Sequence, residues 1–449
     1  MPPPLALLLC TSFVYLLLRY DRKQAPEVSH ASWLPTLWLF AISTKPVGVW
    51  FASDSGDESS SQLDQIFLLG LIVAGCVVIS WRQFDWRSAL SAQPWLLVLM
   101  GYMLVSVVWS DIPFIALKRW VRQAVGLVMI LVVLSEAAPR QTVECILRRM
   151  AYVLIPFSLL LIKYYPHYGV TYGRWSGEVM WVGVADHKTG LGRICIAAAL
   201  YLSWTMFRKW RERHAEPLTR EVWAELLLLL LIWLLLLDPE GKRSATAIAA
   251  LGAGAAAYLG LRWLGRTGVI PAQGLLVFTV LVLVAFGIGM PLSGGSIAGG
   301  INEAMGRNST FTGRADTWAE LVPIAMTHPI FGCGFESYWT PATRELHAMS
   351  HAHCAYLEIL NELGVVGLGF FTLFVLSVVR YAHAGLRLDH DWASFCLAYL
   401  AMVLLHGATE SSINSFTGLL GGIILCISGV CAQPQEATGD LKPPAKYAS

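Results

Sequence analysis

The chain has 449 residues, 56% hydrophobic and only 14% charged, where a soluble domain carries about 25% charged residues; with a mean hydropathy of +0.57 this excludes an ordinary water-soluble protein. Lys and Arg total 32 against 30 Asp and Glu, a formal charge of +2, which excludes a nucleic-acid-binding protein that works through bulk basicity. The 18 Trp, 15 Tyr and 18 Phe suit a chain with many membrane–water interfaces. The class expected is an all-α polytopic membrane helix bundle.

A hydrocarbon core needs about 20 apolar residues per helix. Such runs lie near 4–18, 32–51, 64–81, 93–109, 114–134, 145–162, 189–207, 222–237, 244–263, 270–290, 355–380, 392–407 and 416–432. The first is short, so 12 or 13 transmembrane helices are expected, and whether residues 4–18 span is left open. The start Met1-Pro2-Pro3-Pro4 lacks the basic region of a cleavable signal peptide. The division is then helices one to ten over 1–290, a large loop over 291–352, the last three helices over 353–432 and a disordered cytoplasmic tail over 433–449.

Basic residues set the orientation. Nineteen of the 32 fall at alternate connections: Arg19/Arg22/Lys23, Arg82/Arg87, Arg140/Arg148/Arg149, Arg208/Lys209/Arg211/Arg213/Arg220, Arg262/Arg266, Arg380/Arg387 and Lys442/Lys446. These are assigned to the cytoplasm. The opposite side receives the acidic stretch Asp54-Ser55-Gly56-Asp57-Glu58 and the long loop.

Loops beyond about 12–15 residues are usually functional or disordered. This one opens on the flexible Ser293–Gly300, then carries Thr312-Gly313-Arg314-Ala315-Asp316-Thr317-Trp318, where a helix can start. Thr312 is its candidate cap and Asp316 complements its dipole. Trp318, Leu321, Val322 and Ala325 share one face, so this helix is expected to lie along the membrane surface, kinked by Pro323. Pro329, Gly332 and Gly334 then make a turn.

Thirteen basic residues remain outside: Lys45, Lys118, Arg119, Arg122, Lys163, Arg174, Lys188, Arg193, Lys242, Arg243, Arg307, Arg314 and Arg344. For any one of Lys45, Lys118, Lys163 and Arg344 the favoured explanation is snorkelling to the outer headgroups or pairing with Asp111, Asp238 or Glu240. As a set the thirteen read as a pocket for a polyanion at the outer surface, since Arg forks match phosphate oxygens.

The long loop ends in Ser350-His351-Ala352-His353-Cys354-Ala355-Tyr356-Leu357-Glu358, leading to Gly364 and Gly367. At 100° per residue His353 would crown a stripe of Tyr356, Leu357, Leu360, Gly364 and Gly367, the glycines permitting close packing beneath it. Such a histidine can serve as a general base, although an interfacial hydrogen-bonding His is the commoner case.

The pattern His353-Cys354, nine residues, then Gly364-x-x-Gly367 resembles that of the bacterial O-antigen ligases and polymerases and the related exopolysaccharide polymerases. That family has Asn, Ser or Gln where Cys354 stands. Similar stretches run along nearly the whole chain: Trp109-Ser110-Asp111, Pro156-Phe157-Ser158, Asp186-His187-Lys188-Thr189-Gly190-Leu191-Gly192, Arg243-Ser244-Ala245-Thr246, Thr312-Gly313-Arg314 with Trp318, and His328-Pro329-Ile330-Phe331-Gly332-Cys333-Gly334.

The resemblance implies a glycosyltransferase at the periplasmic face of the bacterial inner membrane. It would move a glycan from undecaprenyl diphosphate to an acceptor sugar, such as lipid A core or a growing glycan. By position His353, Arg314 and Arg243 take the catalytic roles, the arginines on the diphosphate and His353 on the acceptor hydroxyl. Lys188, Arg193, Arg119, Arg122, Arg174, Trp318 and His187 are candidate donor contacts. Inversion without a metal or other cofactor is expected, the acidic 54–58 stretch being read as solvated. Partners are the lipid-linked donor, the glycan acceptor and the bilayer, with no nucleic acid. A polysaccharide exporter is the alternative from another class, disfavoured because no internal repeat is evident and the cations gather outside rather than at mid-span. Among the nine cysteines there is no CxxC spacing, and Cys333 with Cys354 could pair in an oxidising periplasm.

Overall fold

The computed structural model describes residues 1–51, 62–173, 177–212, 220–237, 244–293, 314–347 and 349–433. Each expected span meets a helix. The first half holds α1 (Pro3–Gln24), α2 (Trp33–Ser43), the short α3 (Val47–Phe51), α4 (Gln62–Trp81), the short α5 (Trp86–Ser91), α6 (Pro94–Ser106), α7 (Pro113–Leu134), α8 (Pro139–Tyr164) and the single turn α9 (Pro166–Gly169). The second holds α10 (Lys188–Glu212), α11 (Arg220–Leu237), α12 (Ala245–Arg266), α13 (Gln273–Leu292), α14 (Arg314–Ala325), α15 (Pro341–His347), α16 (Ala355–Gly385), α17 (His390–Gly407) and α18 (Leu419–Ala432). Proline opens α1, α6, α7 and α8, where its missing N–H costs nothing. By length and composition α1, α4, α8, α10, α12, α13 and α16 can each cross a membrane, with shorter apolar helices at 94–109, 222–237 and 419–432. The protein is an all-α polytopic membrane bundle. A two-stranded antiparallel pair, β1 (Val170–Tyr172) with β2 (Val179–Trp181), lies between α9 and α10.

The first two spans differ from their hydropathy runs. The first helix is 22 residues long and continues past Leu18, because Asp21 is buried between Arg148 (2.7 Å) and Arg149 (2.8 Å) of α8. The 32–51 run breaks in two. Pro46 disfavours the helical conformation at Lys45, whose ammonium donates to the carbonyls of Gly183 (3.1 Å) and Ala185 (2.6 Å). Lys45 thus pins the turn before α10.

α8, α10, α17 and α18 form the buried centre, while α4 and α1 are mostly exposed on the outside of the bundle. α1, α10 and α11 pack on α8, α12 on α17, and α13 and α6 on α16. The ends at which the nineteen basic residues were expected are laced with ion pairs: Arg82–Glu136 (2.8 Å), Arg208–Glu144 (2.9 Å), Lys209–Glu225 (2.6 Å) and Arg262–Asp391 (2.8 Å). Contacts at the opposite ends join Lys45 to Ala185, Ser110 to Ser337 and Arg314 to Glu410. The alternation of basic connections and the tertiary pairing of helix ends therefore agree.

Candidate functional site

The helix beneath the site is broken on purpose. Within α16 Gly364 leaves helical geometry (φ 65°, ψ −168°), a region essentially reserved for glycine. The break frees backbone groups that the 329–334 turn takes up. Cys333 N–H donates to Asn361 O (3.0 Å) and Gly334 N–H to Glu362 O (2.8 Å), while Val365 N–H donates to Pro329 O (2.9 Å). The approach is so close that a Cβ on Gly364 would lie 2.2 Å from Ile330 O. The two glycine motifs read separately in the sequence are thus the halves of one latch, which fixes the loop's end against α16. Gly364→Ala combines a forbidden conformation with a backbone clash. A loss of about 3 kcal/mol or more is expected, read as a lower melting temperature in detergent and less protein in the membrane.

Above the latch, Glu358 gathers the loop. It accepts from Trp339 Nε1 (2.8 Å), Ala352 N–H (2.5 Å) and Ser411 Oγ (3.1 Å). Trp318 Nε1 donates to the carbonyl of the same Ala352 (2.9 Å). Ala352 is therefore held on both sides, and with it the flanking His351 and His353. Trp318 is fully buried, so it supports the histidine segment from beneath instead of facing a donor. Its helix α14 packs on α13 and α16, so the apolar face covers protein and not a membrane surface. Pro323 falls inside α14, which runs on to Ala325.

His353 does not crown the helix. Cys354 is the extended N-cap, and His353 precedes it with φ 52°. A left-handed histidine is uncommon and marks strain held by its surroundings. The ring stands edge-on to His351 at 4.0 Å, with Nδ1 3.4 Å from Glu410 Oε2. The other oxygen of Glu410 is ion-paired with Arg314 Nη2. Glu410 lies in the 408–418 connection between α17 and α18, where no spacing or motif distinguishes it, and the sequence reading missed it. Nearby, His406 Nδ1 lies 3.0 Å from Ser412 Oγ.

Burial opposes the ionised form of Glu410, but the His353 hydrogen bond and the Arg314, His353 and His406 charges prevail and hold its pKa down at about 2. His351 is lowered to about 3, first by burial and then by His353. For both groups the unfolded chain binds protons that the folded one refuses. Stability is full above the unfolded values and lost as pH falls, from about 6.5 towards 3 for His351 and from about 4.5 towards 2 for Glu410. Among the described residues His351 Nδ1 has no partner. His351→Leu is accordingly expected to flatten the fall of melting temperature between neutral and mildly acidic pH without a large cost at neutrality.

The other expected contacts divide. Arg119 donates to the backbone carbonyls of Glu336 and Trp339, the latter at 3.4 Å, so it clamps the loop. Glu336, itself at φ 45°, is half-buried, and desolvation raises its carboxyl pKa against the pull of Arg119 and Arg122. Arg122 is exposed in the first half of α7. Arg193 and His187 line a small cavity of ≈ 80 Å³ together with Asp186 and Thr44. Arg193 lies within electrostatic reach of Glu410 and His351, which joins this cavity to the His353 cluster. Lys188 is half-buried at the start of α10. Arg243, Arg174 and the acidic 54–58 stretch lie outside the described residues. A larger recess of ≈ 370 Å³ between α1, α3 and α8 is lined by apolar and aromatic side chains, among them Leu7, Trp50 and Phe157. Cys333 and Cys354 are free thiols, not the disulfide considered above. Cys354 is buried against the Gly287 carbonyl (3.5 Å).

Residues 240–372 match the family model described as O-antigen ligase. The resemblance carried by the motifs is borne out. A curated relative, the exopolysaccharide production protein ExoQ of Rhizobium meliloti (strain 1021), is 24% identical over 313 residues, covering 65% of this chain and 66% of that protein. The matched family stretch contains Arg314, the 329–334 turn and His353, and ends in α16 just past the Gly364 latch. The family is one of membrane enzymes, and Glu410 lies beyond the matched stretch.

Proposed function

We propose that the chain transfers a glycan from undecaprenyl diphosphate to an acceptor sugar hydroxyl at the periplasmic face of the inner membrane, in exopolysaccharide or O-antigen assembly. The observation that carries this is the convergence of Arg314 and His353 on one buried carboxylate, at the helix ends opposite the basic face. Arg314, joined by Arg243, neutralises the leaving diphosphate. His353 takes the acceptor proton while the acceptor oxygen attacks the anomeric carbon in line, with inversion. Nothing in this step calls for a metal ion. The similarity to an exopolysaccharide production protein favours the exopolysaccharide branch.

Deletion of the chain from its host, followed by analysis of surface and lipid-linked glycans, tests this. Single repeat units stranded on the carrier would mark a polymerase, full-length glycan a ligase. Unchanged surface and carrier-linked glycan would refute both. An exporter would instead leave completed polymer on the inner side of the membrane.

A further inference from the structure

We propose that Glu410 is the positioning residue for His353: its carboxylate accepts Nδ1–H and so leaves Nε2 to take the acceptor proton. The inference rests on the glycan-transfer reading and deepens it. Its ground is the way one carboxylate is shared. Glu410 Oε1 faces Arg314 of α14 and Oε2 faces Nδ1 of His353, and only 3% of the Glu410 side chain is exposed. A counter-ion for Arg314 alone would need no second partner at its other oxygen. His353 keeps 27% of its side chain exposed, so the ring is anchored on its buried edge and open elsewhere.

Other titratable groups face this pair from each neighbouring element. Arg193 of α10 and His406 of α17 act on Glu410, while His351 and Glu358 act on His353. Burial and its own neighbours keep His351 neutral at working pH. Glu410, by contrast, stays ionised there, which it must do to act purely as an acceptor. A base whose second nitrogen is held by a buried carboxylate has its tautomer fixed and its protonated form stabilised.

The reaction step balances within this set. The acceptor O–H proton passes to His353 Nε2 as the acceptor oxygen bonds to the anomeric carbon. The bond from that carbon to the diphosphate oxygen breaks, and the electron pair stays on the diphosphate, facing Arg314. The imidazolium formed is paired with Glu410 until its proton leaves to solvent.

The test uses membranes of the host strain supplied with that host's own extracted lipid-linked glycan, with wild type, Glu410→Gln, Glu410→Asp, His353→Ala and the Glu410→Gln/His353→Ala pair. Glu410→Gln is expected to lower the maximal rate roughly 100-fold and to leave the half-saturating donor concentration within about twofold. It should move the acid limb of the pH–rate profile towards lower pH, because a negative charge beside the base is lost. Glu410→Asp should keep that limb in place. The double variant should be no slower than His353→Ala alone. A purely structural Glu410 would reduce the amount of active protein and leave the limb where it was. An unmoved limb in Glu410→Gln, or losses that multiply in the double variant, overturns the proposal. If Glu410→Gln does not accumulate, Glu410→Asp with and without His353→Ala supplies the same comparison, and multiplying losses are again fatal to it. Full activity in His353→Ala would instead bring down the transfer reading itself, so the two failures are distinct.

Discussion

His353→Ala is expected to slow glycan transfer by roughly 10²–10⁴-fold, the usual contribution of a positioned acid or base, while the protein stays in the membrane at its normal amount. The second half follows from the packing. The ring is partly exposed, and its removal leaves Glu410 paired with Arg314. The strained φ of 52° belongs to the backbone and is held by the Ala352 clamp on one side and the α16 N-cap on the other. Alanine meets the same strain and adds no clash. Surface polysaccharide measured by sugar analysis, alongside an immunoblot of the membrane fraction, separates chemistry from abundance. Normal polymer at normal protein level would remove His353 from the catalytic machinery.

How much of this was legible in the sequence depends on range. The helices followed from apolar runs, because lipid requires a local property of about 20 consecutive residues. Their sidedness pattern followed from Arg and Lys, and the pairing of helix ends agrees with it. Arg314 and His353 were legible through motifs that keep their spacing. What stayed hidden depends on distant partners. Glu410 sits in an ordinary Thr-Glu-Ser-Ser loop and gains meaning only by lying 57 residues beyond His353 in sequence yet against it in space. Trp318 reads as an interfacial aromatic until its indole N–H meets the Ala352 carbonyl. The Gly364 motif suggested close helix packing, but its need is a backbone conformation and a docked turn, neither of which periodicity reports. Arg119 shows the same limit: its charge suggested a phosphate, and two loop carbonyls hold it instead.

Arg314→Ala carries the largest expected combined effect, because the residue serves both stability and chemistry. Its guanidinium is the cation paired with a carboxylate that is 3% exposed. Removing it strands that charge beside His353, and breaking a buried pair by deleting one member costs about 3–5 kcal/mol. The melting temperature should fall clearly, and more at neutral pH than at low pH, where protonation of Glu410 relieves the stranded charge. Loss of leaving-group stabilisation should lower transfer by a further 10²–10³-fold or so for each molecule that remains folded. The two roles separate in the pair Arg314→Ala/Glu410→Gln. Taking out both charges removes the stranded carboxylate, so most of the lost stability is expected to return, while transfer stays low. Thermal unfolding in detergent gives the first quantity, and the transfer rate per unit of folded protein in membranes gives the second. If the double variant regained transfer along with stability, Arg314 would be a scaffold for the loop and the diphosphate would have to be met elsewhere. The cavity shared by Arg193 and His187 would then be the place to look. If stability and transfer both stayed low, the Glu410 pair would not be what Arg314 holds together, and its contacts within α14 would have to account for the fold. The expected split, with stability restored and transfer absent, requires Arg314 to act on something other than the protein itself, and an anionic leaving group opposite His353 meets that requirement.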